Sequence, residues 1–121
     1  MKKLVLYHHG KDSIPWGEKT YAMTEVAKRQ GYEFESIDYT VTNDPDQRAK
    51  QLLEMDLSNY DELVFVGSSM GAYVSTVAAE KFKPRALFLM APAFYLPGYA
   101  QTEFSPPKET WVMHGWHDCA V

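Results

Sequence analysis

Gly67-Ser68-Ser69-Met70-Gly71 has the spacing G-x-S-x-G, between the apolar run Leu63-Val64-Phe65-Val66 and a helical pattern from about Met70 to Phe82. A serine hydroxyl is useful as a nucleophile when a sharp strand-to-helix turn lifts it clear of the backbone. Such a turn accepts only small flanking residues, because bulky ones collide with the tightly folded chain. The N–H of the next residue, Met70, then faces the position where an oxyanion develops, at a helix N-terminus whose dipole favours negative charge. The chemistry on offer is acyl transfer with Ser69 as nucleophile. The plain alternative is a glycine- and serine-rich helix start that only turns the chain.

Two other clusters carry reactive groups. His114-x-x-His117-Asp118 brings two imidazoles and a carboxylate together, a set that could ligate a metal. That spacing suits a helix, whereas the local pattern reads as strand and then turn, so no metal or other cofactor is expected. His8-His9-Gly10-Lys11 closes the first apolar run. Gly10-Lys11 lacks the upstream glycine of a phosphate-binding loop, since Val5 stands there, and no G-x-G-x-x-G occurs. A nucleotide site is thereby disfavoured. The single cysteine, Cys119, reads as a small residue in a turn rather than a reactive thiol.

These residues need elements to position them. Leu4–Tyr7 is continuously apolar, as in a strand buried on both faces. A helical pattern covers about Trp16–Gln30, with apolar residues at Met23, Val26 and Ala27, charged residues between them, and Gly31 where a C-terminal glycine belongs. Tyr32–Thr40 reads as a second strand. Asn43-Asp44-Pro45 opens a helix, with Asp44 as cap, Pro45 in the first turn and Gln47 three residues on. Strands follow at Leu63–Val66, Ala86–Met90 and Thr110–Met113, with the helix of residues 70–82 between the first two. Residues 92–108 contain four prolines and read as a long loop. Strands alternating with helices imply an α/β fold, a parallel sheet with helices on both faces. Ligands then bind beyond the carboxyl ends of the strands.

Three segments, in order along the chain, resemble the α/β-hydrolase family and its small single-domain bacterial esterases. They are Leu4–Gly10 (strand and His-Gly turn), the turn around Ser69, and Trp111–Val121, where His114-Gly115-x-x-Asp118-x-x-Val121 is similar to the family's acid-bearing segment. The resemblance implies one domain over residues 1–121, a three-layer sandwich with about five parallel strands in the order 2-1-3-4-5. It also implies Asp118 as the acid and the Lys11 N–H as second oxyanion donor beside Met70. His9, Gly10 and Ser68 are then expected to line the site, with Phe94 and Tyr95 as a wall of the acyl or alcohol pocket. The family's catalytic histidine follows a further helix and strand, and the sequence stops three residues after Asp118. The expectation is therefore a chain truncated before that histidine, with weak activity. Without a final strand, the edge at 110–113 is expected to self-associate.

Composition narrows the remaining classes. The 121 residues are 45% hydrophobic and 23% charged, as in a folded globular protein. A net charge of −4, spread evenly over the two halves, argues against nucleic-acid and anionic-membrane partners. A lone cysteine and the short apolar run after Met1-Lys2-Lys3 fit a cytoplasmic protein. The expected function is a carboxylesterase-like serine hydrolase acting on an uncharged ester or thioester. The alternative is a non-catalytic binding domain that keeps the pocket.

Overall fold

The computed structural model describes residues 1–11, 13–90 and 109–113. Five strands, β1 (Lys3–His8), β2 (Glu33–Ile37), β3 (Glu62–Ser68), β4 (Ala86–Met90) and β5 (Thr110–Met113), form one sheet. All pairings are parallel and the order is β2-β1-β3-β4-β5, as the sequence leads one to expect. Three helices, α1 (Glu18–Arg29), α2 (Pro45–Leu53) and α3 (Met70–Phe82), connect them.

The helices lie on both faces because each strand alternates its apolar side chains between two cores. Leu4 and Leu6 of β1, Leu63 and Phe65 of β3 and Leu87 and Leu89 of β4 pack with Leu52 of α2 and Tyr73, Val74 and Ala78 of α3. The intervening Tyr7, Val64, Val66 and Ala86 pack on the other face with Ala27 of α1 and Phe34. A sheet covered on both faces needs apolar residues at every position, which is why the strands read as continuous runs.

Local signals set the element ends. Gly31 has φ 83°. Its N–H donates to the Lys28 carbonyl at 3.0 Å, and the Tyr32 N–H donates to the Ala27 carbonyl at 2.9 Å. This pair of bonds uses carbonyls that the end of α1 would otherwise leave open. Asp44 caps α2 by accepting from the Asp46 N–H at 2.9 Å, with Pro45 in the first turn. Gln47 does not complete a capping box; it accepts from the Thr42 hydroxyl at 3.0 Å. Strand β2 stops at Ile37, short of the expected Thr40, because the Asp38 carboxylate accepts from both the N–H and the hydroxyl of Thr40 and turns the chain.

Register brings the carboxyl ends of the central strands level. His8 pairs with Gly67 across β1 and β3, and Ser68 with Met90 across β3 and β4. The loop after β1 and the turn after β3 therefore meet at one edge of the sheet. Among the described residues, no helix is long and apolar enough to cross a membrane.

Candidate active site

Ser69 is the single residue between β3 and α3. Its backbone stands at φ 54°, ψ −117°. Among the described residues, one other non-glycine residue has positive φ, Lys83, which occupies the ordinary left-handed region as the cap of α3 (φ 48°, ψ 60°). Ser69 lies outside that region, in a conformation costing on the order of 1–3 kcal/mol. The surroundings hold it there. Its N–H donates to the Met90 carbonyl at 2.9 Å, and its carbonyl accepts from the Ala72 N–H at 3.0 Å.

The flanking glycines are required by space. A Cβ at Gly67 would stand 2.2 Å from Ser75 Oγ and 2.4 Å from the Gly71 carbonyl oxygen. A Cβ at Gly71 would stand 1.9 Å from the His8 carbonyl oxygen. Helix α3 thus starts in backbone contact with the end of β1, and this contact sets Ser69 beside the β1 loop.

Gly10 in that loop touches the serine. A Cβ there would be 3.2 Å from Ser69 Cβ and 3.8 Å from its Oγ. Together Gly10, Lys11, Ser13, Tyr7, Ser68 and Ser69 line most of a cleft of about 300 Å³, with Glu18 and Lys19 on its α1 side. This is the lower end of the volume range for small-molecule sites. Ser68 ends β3 on the α1 face and hydrogen-bonds the Tyr7 hydroxyl, whose acidity burial weakens. Met70, the first residue of α3, is buried.

His9, expected among the lining residues, is fully buried behind Gly10. Its Nε2 accepts from the Tyr39 N–H at 2.9 Å, which leaves the proton on Nδ1 to donate to the Gly10 carbonyl at 2.8 Å. Burial, foremost, holds its pKa below the usual histidine value, with the nearby Arg48 charge acting in the same direction. Both ring nitrogens are engaged, so His9 cannot take a proton from Ser69.

His8 is no better placed. It is buried between Tyr39 and Phe65, its Nδ1 hydrogen-bonds the Tyr39 hydroxyl at 2.6 Å, and its Nε2 meets no partner among the described residues. Burial, then the neighbouring His9, lowers its pKa to about 3.

Asp118, Phe94, Tyr95, His114, His117 and Cys119 lie outside the described residues. Among the described residues, no cluster of three or more His, Cys, Asp or Glu could hold a metal.

Sequence reasoning passed over two buried residues behind the β1 loop, Tyr39 and Arg48. Arg48 is 1% exposed. Its position carried a signal, since Pro45, Arg48, Ala49 and Leu52 are the buried stripe of α2 at helical spacing.

Known structures show the same architecture. A candidate hydrolase of the α/β superfamily from Xanthomonas campestris pv. campestris is 28% identical, with a TM-score of 0.81 over all of this chain and 75% of that one. A lidless serine hydrolase of the α/β class from Xanthomonas campestris, 22% identical, gives 0.52 over 93% of this chain and 57% of that one, a likeness of fold alone. No curated protein matches the chain. The first similarity supports a hydrolase in the general sense. The chain belongs to the uncharacterised protein family UPF0227, which matches residues 4–121, and its fold is α/β-hydrolase-like.

Proposed function

We propose that the protein is a serine hydrolase that cleaves a small ester or thioester through an acyl-enzyme on Ser69. The observation that carries this reading is the backbone of Ser69, held at φ 54°, ψ −117° between two glycines that space requires. A turn whose only task was to reverse the chain would relax to an ordinary conformation. Strain kept at a half-buried hydroxyl that lines a cleft has a use in chemistry.

In this reading Ser69 Oγ attacks the carbonyl carbon, and the N–H groups of Met70 and Lys11 receive the oxyanion. The leaving alcohol or thiol departs with a proton, and water then releases the acid. The general base comes from outside the described residues, because the rings of His8 and His9 are both buried and His9 has no free nitrogen. Asp118 is the acid that would orient it. The cleft's volume of about 300 Å³ favours short acyl groups.

A panel of p-nitrophenyl esters of rising acyl length tests the proposal. Hydrolysis should be fastest for short chains and should fall by about a thousand-fold or more in Ser69→Ala, the scale expected for loss of a nucleophile. Equal rates in the two proteins, or ligand binding without turnover, would leave a binding domain as the better description.

A further inference from the structure

The carbonyl oxygen of Gly10 receives three donors. The Nδ1–H of His9 reaches it at 2.8 Å, the Arg48 guanidinium at 3.1 Å through Nη1, and the Ser13 N–H at 3.3 Å. The same Arg48 nitrogen lies 3.4 Å from the His9 carbonyl. Arg48 is itself held on every side. Its Nε donates to the Thr42 carbonyl at 2.7 Å, its Nη2 to Asn43 Oδ1 at 3.0 Å, and its guanidinium sits 5.8 Å from the Tyr39 ring centre.

This placement runs against the ordinary preferences of an arginine. A fully buried guanidinium is expensive to desolvate. It also stands in the second turn of α2, close to the positive end of the helix, where a cation gains nothing from the helix dipole. A hydrophobic residue in the α2 stripe would bury equally well. What Arg48 does that an apolar residue cannot is bind two successive carbonyls of the loop beside Ser69.

The Gly10–Lys11 peptide is trans and planar, so its C=O and N–H point in opposite directions. With the carbonyl drawn inward to His9 and Arg48, the Lys11 N–H points the opposite way, away from that buried pair, and Gly10 itself lies against Ser69. We propose that Arg48, with the His9 ring, is a positioning residue that locks the Gly10–Lys11 peptide so that the Lys11 N–H serves as an oxyanion donor. This rests on the reading of Ser69 as a nucleophile. Donors that are oriented in advance need no reorganisation when charge develops, and a misplacement near 1 Å is costly. Lys at this position keeps the charge but supplies a compact ammonium in place of the planar fork that reaches Thr42, Asn43 and Gly10 together.

The test is the rate at which a fluorophosphonate phosphonylates Ser69, with loss of fluoride, in the wild-type protein, Arg48→Lys and Arg48→Ala. Saturation kinetics separate the maximal rate from the half-saturating concentration, and thermal melting is followed in parallel. The expected result is a maximal rate lower by about 10- to 100-fold in both variants. The half-saturating concentration should stay within about threefold, and added guanidinium should partly restore Arg48→Ala. Wild-type maximal rates in folded variants would overturn the clamp and leave the nucleophile intact. Failure of both variants to fold would also overturn it, by making Arg48 a residue of stability alone. If the wild-type protein is not labelled at all, the reading of Ser69 falls first and the clamp with it.

Discussion

Ser69 and His8 show how single residues depart from their preferred states. Ser69 has its strained backbone because Met90 and Ala72 hold it on both sides. His8 is a base kept neutral by burial, with its pKa near 3. The unfolded chain binds a proton on His8 near pH 6.5, whereas the folded chain resists protonation down to about 3. Between those values the unfolded state carries more protons. Stability should therefore be full above about pH 6.5 and fall as the pH drops towards 3, by up to about 1.4 kcal/mol per pH unit. His9, also lowered, adds to the fall. Urea midpoints at pH 7 and pH 5 check this, and an unchanged midpoint would contradict it. The serine was legible from its motif. The burial of both histidines was not, because it depends on Tyr39, some thirty residues away, closing over both rings at 5.7 and 5.5 Å.

At the scale of elements, the decisive contact is between the start of α3 and the end of β1. Gly71 permits it, and a methyl group there would enter the space of the His8 carbonyl. Gly71→Ala should push α3 away from the sheet, costing about 1–3 kcal/mol and lowering the melting temperature by roughly 5–15 °C. Differential scanning calorimetry measures this directly. Gly17→Ala is the control, since a Cβ there meets nothing within 4 Å, and its melting temperature should stay close to the wild-type value. Helix α3 was readable to the residue, because its apolar side and the two glycines that flank Ser69 are local features. Helix α2 was readable as a helix but not as a carrier of function. Arg48 lies on its inward stripe, and charge alone suggests an outward residue until the loop it serves is in place.

At the scale of the whole molecule, β5 is the edge of the described sheet. Trp111 stacks on Phe88 at 6.4 Å yet is 60% exposed, and Val112, which points to the opposite face, is 53% exposed. An apolar edge of this kind recruits another strand. The chain should associate with itself as concentration rises, and Val112→Lys should shift sedimentation towards the monomer. A concentration-independent monomer in the unaltered protein would contradict that expectation. The order of the sheet was legible because alternating strands and helices together with the family resemblance leave few topologies open. The depth of the cleft was not, since Tyr7, Ser13 and Ser68 approach one another only once β1, α1 and β3 are packed. All of this architecture converges on one hydroxyl. Treatment of the protein with a fluorophosphonate, followed by intact-mass and peptide mass spectrometry, tests that convergence most directly. A single adduct on the peptide containing Ser69, absent from Ser69→Ala, is the predicted result; an unmodified protein, or an adduct on another residue, would contradict the account.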